Sequence, residues 1–97
     1  MKLRIARKAQ AGTMQSSDLT VSLEPDEALT VEIESTVKRQ FEHLIRQVVD
    51  GVLAAHGVTA GRVRITDRGA LDYAIQARLE TALRRASDEA PAAGRAP

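Results

Sequence analysis

The stretch "LTVSLEPDEALTVEI", residues 19–33, decides the fold. Leu19, Val21 and Leu23 alternate with polar residues, and Leu29, Val31 and Ile33 repeat the pattern. A period of two places each apolar set on one face of an extended chain, so both segments read as half-buried strands. The link between them holds Glu24, Pro25, Asp26 and Glu27. Such a link suits a hairpin of moderate length, and the two strands are expected to pair antiparallel.

Downstream the period changes. Val37, Phe41, Leu44, Ile45, Val48, Val49, Val52 and Leu53 recur at three-four spacing, which predicts an amphipathic helix ending near Gly57. Ser35 or Thr36 is the expected cap, and Glu42 and Arg46 stand in the favourable order for a weak pair on its wet side. "RVRIT", residues 62–66, alternates again and predicts a third strand. A second helix follows, with Leu71, Ile75, Leu79, Ala82, Leu83 and Ala86 on one stripe, Asp67 as its expected N-cap, and Arg84 and Arg85 favouring its C-terminal end. Residues 88–97 lack periodicity and read as a disordered tail.

The expected order is thus β-β-α-β-α. One apolar face per strand and one apolar stripe per helix are both satisfied by a two-layer α+β fold, a small antiparallel sheet with two helices on one face. Residues 1–17 form a basic N-terminal segment, in which "KLRIA" could add an edge strand of weakly specified register. Residues 18–87 form the folded domain.

Composition narrows the function. Ninety-seven residues support a single domain with one modest core. Phe41 and Tyr73 are the only aromatic residues, so that core must be aliphatic, and the chain lacks a platform of rings for single-stranded nucleic acid. A net charge of +1 gives no general preference for polyanions or acidic membranes. The charge is unevenly spread: Lys2, Arg4, Arg7 and Lys8 stand in the N-terminal segment without an acid, while residues 18–50 are net acidic. The absence of cysteine excludes disulfides, thiolate metal sites and cysteine nucleophiles. Basic residues interrupt the N-terminus where a secretory signal would be apolar, and no window approaches a membrane span, so the chain reads as soluble and cytoplasmic.

Few side chains suggest catalysis. His43 falls on the wet side of the first helix and His56 at its fraying end, neither with a metal-ligand spacing to other ligands. Glu24, Asp26 and Glu27 lie in a short polar turn, which offers no enclosure to split carboxylate pKa values. No phosphate-binding glycine loop is present, and Gly57 and Gly61 flank a helix-to-strand link.

What remains is "AGTMQSSD", residues 11–18. Ser16 and Ser17 before a strand fit ordinary turn chemistry. Composition alone favours that reading over the alternative, an attachment site, for which a carrier needs an exposed hydroxyl on a mobile segment that a processing enzyme can reach.

Three blocks carry a resemblance. "AGTMQSSD" resembles the modification segment of the citrate lyase acyl carrier protein family, the γ subunits, where the motif runs Ala-Gly-Thr, two variable residues, Ser, usually Gly, then Asp. "DRGALDYAIQARLETALRRAS", residues 67–87, resembles that family's C-terminal signature, and "VEIESTVKRQFEHLI", residues 31–45, its strand-to-helix passage. The resemblance implies a non-catalytic carrier subunit. By position Ser16 would hold a 2′-(5″-phosphoribosyl)-3′-dephospho-coenzyme A arm through a phosphodiester, with Ser17 as second candidate at the place the family usually gives to Gly. The arm's thiol would carry acetyl and citryl thioesters during cleavage of citrate to acetate and oxaloacetate, which accords with a chain lacking its own thiol. The implied partners are the α acyl transferase and β citryl lyase subunits and the holo-carrier synthase that transfers the arm, with no nucleic acid and no membrane. The basic N-terminal segment is the expected docking element. Gly12 is expected to give the loop slack and Asp18 to bound it. Two rivals stand beside this: the acyl carrier of malonate decarboxylase, and an unmodified interaction module.

Overall fold

The computed structural model describes residues 3–35 and 41–87. Its elements run β1 (Ala9–Gly12), β2 (Leu19–Glu24), β3 (Leu29–Ser35), α1 (Glu42–Ala55), β4 (Gly61–Asp67) and α2 (Asp72–Ala86). The fold is the two-layer α+β arrangement that the periodicities imply, with one strand more than expected, β-β-β-α-β-α.

The sheet is mixed, in the order β1-β2-β4-β3. The expected hairpin between residues 19–23 and 29–33 does not form. Those strands run in opposite directions, but β4 lies between them, antiparallel to β2 (Leu19↔Asp67, Glu24↔Arg62) and parallel to β3 (Leu29↔Gly61, Ser35↔Asp67). Residues 25–28 cross the start of β4, where the Gly61 amide donates to the Ala28 carbonyl at 3.2 Å. Alternation fixes the face a strand presents, not its neighbour. Two features select the observed order. Every inward side chain of β4 is buried, as a central strand requires, whereas β3 is mostly exposed. The helix between β3 and β4 also provides the long crossover that a parallel pair needs.

The strand predicted near "KLRIA" lies instead at Ala9–Gly12, paired with β2 from Ala9↔Leu23 to Gly12↔Thr20. Upstream of it, Leu3 and Ile5 are 5 % exposed and join the core without sheet pairing. Leu3 donates its amide to the His56 carbonyl at 2.8 Å, and Ala6 and Arg7 donate theirs to Ala86 at 2.9 and 3.2 Å. This basic segment is thereby tied to the C-terminal ends of both helices.

The core is aliphatic. Leu19, Val21, Val63, Ile65, Ile75, Leu79 and Leu83 are all but fully buried, each contributing about 1.5–3 kcal/mol of transfer free energy. Helix α1 buries only Ile45, Val49, Val52 and Leu53, and Phe41 and Leu44 are exposed, contrary to their predicted place on the core stripe. The cause is α1's position against α2 and the edge strand β3, which cover only a narrow stripe. The helix ends as predicted at Gly57 (φ +67°), where Gly57 donates to Ala54 and Val58 to Leu53, so a residue without Cβ closes a Schellman turn.

Ser35 is not a helix cap. It ends β3 and its hydroxyl donates to Asp67 Oδ2 at 2.9 Å, while Thr36 lies outside the described residues, as do Val37, Lys2 and the tail 88–97. Asp67 is not a helix cap either. Almost fully buried, it accepts from the amides of Gly69 (3.1 Å) and Ala70 (2.9 Å), shaping the β4–α2 turn, and the N-cap position of α2 is Leu71, which offers no side-chain cap. His56 departs from its expected solvated state as well: Nε2 lies 3.1 Å from Glu80 on α2.

Candidate functional site

The doubled serine sits on the six-residue loop 13–18 joining β1 to β2. Its ends are closed by the Thr13 amide, which donates to the Leu19 carbonyl at 3.1 Å. Gly12 makes that closure possible. It has φ +99°, and a Cβ there would run into the Leu19 carbonyl, so this glycine gives the backbone a close approach rather than the expected slack.

Asp18 does bound the loop, and does more. Its Oδ2 accepts from Thr13 Oγ1 at 2.6 Å and its Oδ1 from the Leu19 amide at 2.8 Å. Arg78, on α2, grips the same carboxylate in a fork, Nε to Oδ1 at 3.1 Å and one Nη to Oδ2 at 2.8 Å. A planar guanidinium satisfying both oxygens fixes orientation as well as charge. The Arg78 fork, then Thr13 and Leu19, hold the Asp18 carboxyl down at about 2, below its ordinary 3.8. From the other side the Ser17 amide donates to the Arg68 carbonyl at 2.7 Å and the Arg68 amide to Asp18 at 2.8 Å. The loop is therefore fastened to both the β4–α2 turn and α2.

What the fastened loop presents is the pair Ser16 and Ser17. The Asp18 amide donates to Gln15 at 3.2 Å, closing a β-turn with Ser16 and Ser17 at its two central positions. Ser17 has φ +66° and Ser16 does not share that sign, the pattern of a type II turn, whose second central position favours glycine. Both serines are exposed. Position 17 is committed by its backbone, to the left-handed region and to Arg68. Neither serine hydroxyl enters a hydrogen bond among the described residues, so the two positions differ in backbone: Ser17 is bonded and left-handed, Ser16 is neither.

Beside the turn runs a shallow groove of about 430 Å³ between the loop and α2, lined by Ser16, Tyr73, Ala77 and Arg78 among others. Tyr73 is 72 % exposed. The carboxylates Glu24, Asp26 and Glu27 lie away from this site: Glu24 pairs loosely with Arg62 at 3.6 Å and Asp26 accepts only from the amide of Glu27. His43 is exposed on α1. Among the described residues no three potential ligands converge for a metal ion, and no helix is long and apolar enough to cross a membrane.

Thr13, Arg68, Tyr73 and Arg78 were not anticipated as site residues. Arg78 had a signal, for "AGTMQSSD" and "DRGALDYAIQARLE", the blocks of the resemblance, each hold one half of the Asp18–Arg78 pair.

Residues 6–86 match the family model described as malonate decarboxylase delta subunit (MdcD). The chain is 46 % identical over 87 residues to the citrate lyase acyl carrier protein of Haemophilus influenzae, covering 90 % of this chain and 92 % of that protein. Against the citrate lyase acyl carrier protein of Pectobacterium carotovorum the identity is 48 % over 87 residues, 89 % of this chain and 91 % of the relative. Among solved structures, a chain in the crystal structure of a Pseudomonas malonate decarboxylase hetero-tetramer in complex with malonate superposes with a TM-score of 0.72 at 20 % identity, over 86 % of this chain and 87 % of that one. At that identity the likeness is one of fold.

Proposed function

The chain belongs to the citrate lyase acyl carrier protein family, and from that premise we propose that it is the acyl carrier of a citrate lyase, with Ser16 the point at which a phosphoribosyl-dephospho-coenzyme A arm is joined by a phosphodiester. The observation that carries this is a turn, fastened through its backbone, that holds two exposed and unbonded serine hydroxyls in solvent, and of the two only Ser16 is free of a backbone commitment. When attached, the arm supplies a thiol on which acetyl and citryl groups travel as thioesters between an acyl-exchange subunit and a citryl-cleaving one.

The chain's own part is presentation. Asp18, Thr13 and Arg78 hold the loop so that the serine stands clear for the transferring enzyme. Ser17 supplies the left-handed turn position rather than the anchor. A fixed anchor with a long arm keeps the acyl group near successive active sites at high effective concentration. The partners are then the α and β subunits of the lyase and the holo-carrier synthase, within the cytoplasm.

A malonate decarboxylase carrier is the second reading, favoured by the description of the matching family model. Identity of 46–48 % to citrate lyase carriers supports the first.

Intact mass tests both the arm and its anchor. Co-expressed with a citrate lyase holo-carrier synthase, the chain should gain the arm's mass once, and Ser16→Ala should gain none. A Ser16→Ala chain that still loads while Ser17→Ala does not would move the anchor to Ser17. A wild-type chain that never gains mass would defeat the carrier reading. Cleavage of citrate, and not decarboxylation of malonate, on adding the larger subunits of each complex separates the two carriers.

A further inference from the structure

We propose that the groove between the Ser16 turn and α2 is the resting seat of the arm's purine nucleotide, with the Tyr73 ring as the surface on which the base stacks. The inference rests on the carrier reading and extends it, from where the arm is joined to where it lies when idle.

Three observations converge. First, Ser16 itself lines the groove, so the first phosphate of any group joined there enters it from the rim. Second, the groove has the size and walls for a nucleoside. Its volume is about 430 Å³, against about 300–1,000 Å³ for sites that hold small ligands. Ala74 and Ala77 line it on α2 without bulk that would keep a flat ring away. Tyr73 lines it too, 72 % exposed, with no packing duty to account for so large a ring in solvent. An exposed ring offers a face on which a base can stack, and one ring suffices for one base.

Third, the local charge suits phosphate. Asp18 is neutralised within the groove by the Arg78 fork, which engages Nε and one Nη and leaves the other Nη outside the pair. Arg68, whose backbone holds Ser17 and Asp18, has an exposed side chain with no ion pair among the described residues. The remaining acid nearby is Asp72, exposed in the first turn of α2. A stacking contact of this kind is too weak to capture a free nucleotide. A tether joined at the rim supplies the concentration that makes it populated.

The composition provides a direct readout, because Tyr73 is the chain's only tyrosine and tryptophan is absent. Tyrosine emission of the arm-bearing carrier should fall at least twofold below that of the arm-free chain. The H2 and H8 proton resonances of the arm's adenine should be displaced from those of free dephospho-coenzyme A, and should return toward them in a Tyr73→Ala carrier bearing the arm. Equal emission with and without the arm, on a chain whose mass proves it loaded, overturns the seat and leaves the carrier reading intact. A chain that takes no arm overturns both. Tyr73→Ala that weakens assembly with the larger subunits while leaving the adenine resonances where they were assigns Tyr73 to a partner surface, and likewise overturns the seat.

Discussion

Loop 13–18 enters β2 and the link 25–28 leaves it, both polar, both solvent-facing, and each with an aspartate near its middle or end. Asp26 accepts one hydrogen bond, from the next amide in the chain. Asp18 gathers Thr13, Leu19 and, from sixty positions further along the chain, both arms of the Arg78 fork. The link only has to carry the chain over the start of β4. The loop holds a serine in one place, and it does so by borrowing rigidity from a helix remote in sequence. Polar composition is common to both; connection to the rest of the fold separates them.

The sharpest way to break the contrast is to spoil the closure of the loop. Gly12→Ala puts a Cβ against the Leu19 carbonyl at φ +99°, and should cost about 3 kcal/mol. Urea unfolding measures this. A loss under about 1 kcal/mol would mean that the close approach is not needed for stability.

Next come the two aspartates. Asp18→Ala strips Arg78, Thr13 and the Leu19 amide of a shared acceptor and should cost about 2 kcal/mol, whereas Asp26→Ala should stay within about 0.5. Arg78→Ala should give much of the same loss, and the double variant little more than Asp18→Ala, since both remove one interaction. Acid should weaken the Asp18 attachment. With the Asp18 carboxyl held at about 2 rather than 3.8, its contribution is complete above the ordinary carboxylate range and is lost as pH falls from about 4 toward 2. The Arg78 side chain is 42 % exposed, so screening limits the effect to about 1 kcal/mol. The stability gap between wild type and Asp18→Asn should therefore narrow between pH 5.5 and pH 2.

How much of this was legible in the sequence follows from what each pattern encodes. Alternation over 19–23, 29–33 and 62–66 placed Leu19, Val21, Val63 and Ile65 in the core, because a strand's two faces are fixed by its period. The same alternation is silent about pairing, so the insertion of β4 between β2 and β3 was missed. The signal that could have shown it was the helix between two strands, which calls for a parallel crossover. At the site, the serines and Asp18 were evident from local letters. Arg78 was not, since a bidentate pair across the fold leaves no mark in spacing. Asp67 looked like a helix cap because Asp before a helix usually is one, yet its oxygens serve the turn and Ser35 instead.

The smallest expected effect bears on the doubled serine itself. Ser17 occupies the second central position of the turn with φ +66°, where a side chain is strained and glycine is not. The left-handed region costs an L-residue roughly 1–2 kcal/mol, and glycine gives back about 0.5–1 kcal/mol through the freedom of its unfolded chain. Ser17→Gly should therefore stabilise the protein by about 0.5 kcal/mol, and the Ser17 amide would keep its bond to Arg68 because that bond belongs to the backbone. The change should leave arm loading at Ser16 undiminished. Both readouts together, a small rise in the urea midpoint and full gain of mass, would make position 17 a conformational position and position 16 a chemical one. A Ser17→Gly chain that is less stable, or that loads poorly, would mean that the second hydroxyl serves the site after all. The glycine that the family's motif usually carries there would then be only one of two ways to build this turn.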